Sequence, residues 1–129
     1  MKTSLAIGAL VVIACGAYGR ALQLSAPQTY FGMCDASAAV ALGANLFIVA
    51  NDEDNVLRVY RRQPAAMPLR SFDLTAFLRM DNKGQESDLE GAARIGDRIY
   101  WVASHGRNAQ GEASPIRQRF FATTVAVRG

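Results

Sequence analysis

The stretch AVALGANLFIVA, residues 39–50, decides the fold, because its layout returns as AARIGDRIYWVA at residues 92–103. Each stretch has a short apolar run, a turn with glycine, and a second run that carries an aromatic residue and ends in alanine. Short runs rich in β-branched and aromatic residues, separated by glycine, asparagine and aspartate, are typical of strands joined by tight turns. We therefore predict antiparallel hairpins and an all-β fold.

The same pattern of short apolar runs separated by turn residues continues on both sides of the two hairpins. A single helical turn is predicted at residues 75–79, with loops at 82–87 and 104–115. The predicted strands cover residues 38–42, 46–50, 56–61, 70–74, 89–95, 98–103 and 119–127.

The spacing of the hairpins favours a β-propeller. The second follows the first by about 53 residues, near the roughly 40–50 residues of one propeller blade. Propellers close with about 4–8 blades, and this chain has strands for about two. The chain stops at Gly129, directly after a predicted strand. We therefore expect an incomplete, truncated propeller that needs its remaining blades or a partner chain for closure.

Residues 1–20 have the order of a secretory signal peptide: a basic start, an apolar run from Leu5 to Ala14, and then small residues. The run is shorter than the about 20 residues that cross a bilayer, so we expect a signal helix and no membrane span. Ala17-Tyr18-Gly19 suits signal peptidase, whereas Val12-Ile13-Ala14-Cys15 resembles a lipobox in which Cys15 carries lipid. Residues 21–129 then form an exported domain, periplasmic or extracellular.

Composition excludes several classes of function. The net charge of +3 comes from scattered arginines, and no run of like charges indicates a nucleic-acid partner. The sequence has neither a nucleotide-binding glycine loop nor a zinc-type cysteine and histidine spacing. Cys34 is the one cysteine beyond the signal, which argues against a disulfide framework, and we expect it to be buried.

Three segments in order resemble the N-terminal part of the DUF3616 family, uncharacterised bacterial proteins predicted to be β-propellers. They are FGMCDASAAV at 31–40, ANDEDNVLRVY at 50–60, and SDLEGAAR at 87–94 running into IYWVASHGRN at 99–108. The resemblance covers about residues 30–127 and implies a longer protein than this chain. It brings no established catalytic residues.

The element DLEG at residues 88–91 is also similar to a motif of exported esterase-like and phytase-like propellers. That similarity implies phosphate or ester processing by a propeller that depends on Ca²⁺.

Two acidic groups are candidate metal ligands. Asp88 and Glu90 are two residues apart, so on a strand they point to the same face, and Gly91 after them permits close backbone approach. Asp52 and Asp54 lie in the turn after residue 50 with calcium-compatible spacing, although the rest of an EF-hand loop is absent. Carboxylates suit Ca²⁺, which takes oxygen ligands. The structural alternatives are that Asp88 caps a turn, Glu90 pairs with an arginine, and residues 52–55 form a solvated turn.

The loop after residue 103 holds the candidate catalytic residues. His105 is the sole histidine and would act as acid or base near neutral pH, and Arg107 would bind phosphate oxygens as a fork. Asp35 and Asn108 are predicted to contact the ligand.

The sequence therefore predicts an exported propeller segment that binds a small anionic ligand or Ca²⁺ at its strand-end loops. A first alternative is a phosphoester or carboxylester hydrolase. A second is a non-catalytic interaction scaffold or an inactive fragment.

Overall fold

The computed structural model describes residues 24–80, 84–124 and 126. Within them the chain forms seven strands and one short 3₁₀ turn, Pro115–Arg117. The strands are β1 Ala36–Ala41, β2 Leu46–Asn51, β3 Val56–Arg61, β4 Arg70–Asp73, β5 Leu89–Ile95, β6 Arg98–Ala103 and β7 Phe120–Thr124. The predicted all-β class is confirmed, with strand bounds within about two residues of the predicted ones except at the far end of β7. The predicted signal peptide at residues 1–20 lies outside the described residues, as does its candidate lipid site Cys15.

The strands form two antiparallel sheets. Sheet 1 has the order β1-β2-β3-β4, and sheet 2 has the order β5-β6-β7. The first strands of the two sheets run side by side: the Ser37 hydroxyl donates to the Leu89 carbonyl, and Arg94 Nη1 donates to the Ala41 carbonyl at 3.0 Å. Both contacts advance along β1 and β5 together, so these two strands are parallel.

One apolar core lies between the sheets. Trp101 of sheet 2 is fully buried there, and its indole nitrogen donates to the Thr123 hydroxyl at 2.9 Å. Because the buried indole has a hydrogen-bond partner, its burial carries no polar penalty. The core residues are Val40, Leu42, Ile48, Ala50, Leu57, Val59, Leu89, Ile99, Trp101 and Ala103.

The two hairpins differ in pairing although their sequences match. Ala41 pairs with Phe47, whereas Arg94, at the matching sequence position, pairs with Ile99 and not with Tyr100. A one-residue change of register reverses the direction of the side chains. Ile48 and Trp101, which match in sequence, therefore both lie in the core between the sheets.

The reversed register gives sheet 2 an apolar outer face. A row across its three strands, Ala93, Tyr100 and Ala122, lies on the side away from the core. Tyr100 stacks on Phe120 with ring centroids 6.0 Å apart, and Phe120 is 70% exposed. We call this surface the outer face of sheet 2; its residues are Ala93, Ile95, Tyr100, Val102, Phe120 and Ala122.

The corresponding face of sheet 1 is covered by the chain itself. Tyr30 packs edge-on against Phe47 and Tyr60, at centroid distances of 5.0 and 5.5 Å. The Tyr60 hydroxyl donates to the Phe31 carbonyl at 2.9 Å, and Tyr60 is fully buried. The prediction that Cys34 is buried is wrong: it follows this covering segment and is exposed.

In the part of the chain that the structure describes, no helix is long and apolar enough to cross a membrane.

Candidate functional site

Three carboxylates from the two sheets meet at one end of the molecule. Asp52 follows β2, Asp88 directly precedes β5, and Glu90 is the second residue of β5. One carboxylate oxygen from each lies within 4.8 Å of the others. We call these three residues the acidic cluster. It unites both members of the predicted pair Asp88 and Glu90 with Asp52 of the other predicted pair, because parallel β1 and β5 bring the same ends of the two sheets together.

Asp88 is the most constrained member of the acidic cluster. Its backbone has φ of +57°, an uncommon conformation for a residue other than glycine. Its carbonyl accepts from the Ser104 backbone N at 2.8 Å, and its Oδ2 accepts from the Ser104 hydroxyl. Arg117 Nη1 also lies 2.8 Å from this Oδ2. Among the described residues, the Asp88 carboxylate contacts the Ser104 hydroxyl and Arg117 and no backbone N–H, so turn capping by Asp88 stays a prediction, and the arginine pairs with Asp88 and not with Glu90.

Asp52 carries an unsatisfied buried atom. Among the described residues, its Oδ1 is shielded from solvent and has no hydrogen-bond partner. A buried polar atom without a partner costs about 1–3 kcal/mol relative to a satisfied one. Such an atom beside two further carboxylates fits a site that accepts a cation.

More negative charge surrounds the acidic cluster. Asp35 is attached to it through the backbone, because its carbonyl accepts from the Asp52 N at 3.1 Å and its N donates to Asn51 Oδ1 at 2.9 Å. The negative charge of Asp35 is the main cause that raises the pKa of the exposed Glu53, followed by desolvation and by Asp52. Asp35, predicted as a ligand contact, therefore lies at the rim of this negative region.

Asp54 is separated from the acidic cluster by its own partner. Its two oxygens bind Arg58 as a fork, with Oδ1–Nη1 at 3.0 Å and Oδ2–Nη2 at 2.7 Å, and Oδ1 also accepts from the Val56 N. Partial burial opposes ionisation, but the hydrogen bonds from Arg58 and Val56 outweigh it and lower the pKa of Asp54. The structure thus assigns Asp54 to an ion pair and an Asx turn.

The candidate catalytic loop is held mainly by bonds within itself. His105 has φ of +54°, and its Nδ1 lies 3.0 Å from the Ala103 carbonyl oxygen. Arg107 Nη1 donates to the Gly111 carbonyl at 2.8 Å. Asn108 closes the loop, since its Oδ1 accepts from the Glu112 N at 2.8 Å and its Nδ2 donates to Glu112 Oε2 at 3.0 Å. Among the described residues, none of these three side chains is hydrogen-bonded to the acidic cluster.

Two residues that contact the acidic cluster were not predicted from the sequence. Arg117 bridges Asp88 and Glu86, with Nη2 3.0 Å from Glu86 Oε1. Ser104, the second partner of Asp88, had no motif that marked it. Gly91 does permit close approach, but to a neighbouring strand: an added Cβ would lie 2.9 Å from Val102 Cγ1.

Comparison with protein-family models, with curated proteins and with solved structures finds no match for this chain. The resemblance to the DUF3616 family therefore stays a prediction.

Proposed function

We propose that this chain is part of an exported β-propeller that binds a divalent cation, Ca²⁺, at the acidic cluster of Asp52, Asp88 and Glu90. The observation that carries the proposal is the buried Asp52 Oδ1, which has no partner among the residues that the structure describes, beside carboxylate oxygens within 4.8 Å. Three carboxylates this close repel one another, and a cation between them would relieve the repulsion and satisfy the orphan oxygen.

Calcium is the cation whose chemistry suits these ligands best. All three side chains offer oxygen, the ligand of hard cations, and the residues belong to a turn and strand ends instead of a rigid octahedral cage. With three protein carboxylates, we expect a dissociation constant on the order of 10⁻⁴–10⁻³ M, as in extracellular calcium modules. That range agrees with the export signal proposed at residues 1–20.

The apolar rows on the faces of the two sheets support the propeller part of the proposal. The row Val40, Ile48 and Val59 joins the first three strands of sheet 1 on its core face, where sheet 2 covers it. The outer face of sheet 2 has the corresponding row Ala93, Tyr100 and Ala122. A further sheet that packs there would repeat the contact between sheets 1 and 2, as blades do, and it would come from the remaining blades or a partner chain.

The negative charge of the site favours a cation over a small anion as its ligand. Asp35, Glu53 and Glu86 add negative charge around the acidic cluster, and Glu53 has a raised pKa because of it. The hydrolase alternative has less support, because, among the described residues, the hydrogen bonds of the His105 and Arg107 side chains go to the backbone carbonyls of Ala103 and Gly111 and not to the acidic cluster. DUF3616 membership is proposed on the three sequence segments alone.

Isothermal titration calorimetry of the full chain with CaCl₂ tests the cation site. Asp52→Asn and Glu90→Gln remove charge without disturbing the bonds of Asp88 to Ser104 and Arg117. We expect each variant to weaken Ca²⁺ binding at least about tenfold, since each removes one anionic ligand of three.

Asp54→Asn is the matched control, because Asp54 lies two residues from Asp52 but pairs with Arg58. Its effect on Ca²⁺ affinity should stay within about threefold, the size of a screened long-range charge effect. Absence of binding to the unaltered chain, or equal losses in Asp54→Asn and Asp52→Asn, would contradict the proposed site.

A further inference from the structure

We infer that Arg117 is a tethered competitor of the bound cation and sets the affinity of the acidic cluster. The inference rests on the proposed cation site and concerns how strongly that site binds.

Arg117 shares a ligand with the proposed cation. Its Nη1 lies 2.8 Å from Asp88 Oδ2, and its Nη2 lies 3.0 Å from Glu86 Oε1. The Asp88 side chain is 14% exposed and that of Arg117 is 25% exposed. A guanidinium and a divalent cation would therefore be held by the same half-buried carboxylate, separated by little solvent.

Two positive charges on one carboxylate repel each other, and in a half-buried site the repulsion is screened less than in water. Arg117 neutralises part of the negative charge that attracts the cation. Binding linkage makes the effect reciprocal: whatever Arg117 costs the cation in affinity, the cation costs the Arg117–Asp88 ion pair.

This coupling extends to the segment between β6 and β7, which carries both His105 and Arg117. The Arg117 carbonyl accepts from the His105 N, and the Arg117 N donates to the Ser114 carbonyl, both at 3.0 Å. Within the described chain, Arg117 and Ser104 are thus the two residues through which this segment is bonded to Asp88. Cation binding would weaken the Arg117 attachment and leave that of Ser104, so the loop would loosen at its C-terminal side.

A purely structural role for Arg117 predicts the opposite sign. If Arg117 only orients the Asp88 carboxylate, its removal weakens cation binding, whereas removal of a competitor strengthens it. The sign of one affinity change therefore separates the two roles.

The test measures Ca²⁺ affinity by calorimetry for the full chain, Arg117→Gln and Arg117→Lys. We expect Arg117→Gln to bind roughly tenfold more tightly, because one nearby positive charge is lost. Arg117→Lys keeps the charge and should remain within about threefold of the unaltered chain. Arg107→Gln is the matched control: it removes one positive charge from the same loop at a side chain bonded to Gly111, and its affinity should also remain within about threefold, as expected for a screened exposed charge.

Equal or weaker binding in Arg117→Gln, beside measurable binding to the unaltered chain, would overturn the inference. Binding to neither chain would overturn the cation site itself. If Arg117→Gln does not fold, ¹⁵N NMR of the Arg117 guanidinium in the unaltered chain replaces it. We then expect its signals to shift on saturation with Ca²⁺, and unchanged signals at demonstrated saturation would count against competition.

Discussion

Asn55 and Ser87 form a buried pair that ties sheet 1 to the segment entering sheet 2. Asn55 Oδ1 accepts from the Ser87 backbone N at 2.9 Å and from the Ser87 hydroxyl at 2.8 Å, while Asn55 Nδ2 donates to the Gln85 carbonyl at 2.8 Å. Ser87 is fully buried, so these donors have no access to water. The pair therefore fixes the residue directly before Asp88.

Asn55→Ala should destabilise the fold by about 2–3 kcal/mol, because it leaves buried groups of Ser87 unsatisfied. Chemical denaturation followed by tryptophan fluorescence measures the change. The control is Asn45→Ala, at an exposed position of the first hairpin turn, which should stay within about 0.5 kcal/mol. A loss equally small in both variants would show that this pair does not hold the sheets together.

Asp54→Asn should remove a pH-dependent part of the stability. Folding lowers the pKa of Asp54, chiefly through Arg58 and against the opposing effect of burial. The ion pair therefore stabilises the fold above the ordinary aspartate pKa of about 3.9, and this benefit is lost as the pH falls through the lowered value. At pH 7 we expect a loss of about 0.5–1.5 kcal/mol, in the range of a partly exposed pair.

The measurement for Asp54→Asn is the free energy of unfolding from pH 7 down to pH 2. The difference from the unaltered chain should shrink toward zero at the acid end. Asp97→Asn, in the exposed turn between β5 and β6, serves as the control. A difference that is constant across the pH range would assign the effect to the Asx turn with Val56 instead of the ion pair.

Asp52→Asn should stabilise the chain in the absence of cations, although it weakens Ca²⁺ binding. The substitution removes one of three mutually repelling charges and gives the side chain an amide that can donate to Asp88 or Glu90. We expect a gain of about 1 kcal/mol in chelator-containing buffer, measured by urea denaturation. Saturating Ca²⁺ should reverse the order of stabilities, because the unaltered chain binds it more tightly and gains more binding energy than the variant. A destabilised Asp52→Asn in chelator would mean that the orphan oxygen is satisfied in solution.

Substitutions of Trp101 and Phe120 should differ strongly in their effect on stability, because Trp101 faces the core and Phe120 the outer face of sheet 2. Trp101→Ala empties a fully buried site and should cost about 3–5 kcal/mol. Phe120→Ser changes a side chain that is 70% exposed and should change stability by about 0.5 kcal/mol or less. It should instead lower the binding of an environment-sensitive apolar dye. Undiminished dye fluorescence in Phe120→Ser would show that this face is covered in solution.

The strands were predictable because their signal is local. Alternation along residues 56–61 and the tight turn Gly96-Asp97 each determine structure within a few residues, and both strands of the second hairpin have the predicted bounds. The register was not predictable from the matched sequences of the hairpins. The register depends on which residues pair beside each turn. Ala41 pairs with Phe47, whereas Arg94 pairs with Ile99.

The acidic cluster was predictable as residue types but not as a group. Asp52 and Asp88 were assigned to separate metal pairs, since nothing local states that β1 and β5 run parallel. The ion-pair partners were not predictable either: Asp54 pairs with Arg58, four residues later, and Asp88 pairs with Arg117, which lies beyond β6 in the sequence. Asn55 was included in a possible solvated turn, yet it is buried and bonded to Ser87.

Because Tyr30 and Phe31 cover one face of sheet 1, the two-sheet unit has one exposed apolar sheet face. Tyr30 packs on the aromatic side chains of sheet 1, whereas the outer face of sheet 2 is exposed to solvent. A unit with two open faces could add copies head to tail without limit and form fibres. Because Tyr30 covers the corresponding face of sheet 1, the two-sheet unit exposes one apolar sheet face instead of two, which limits open-ended association between copies of the chain.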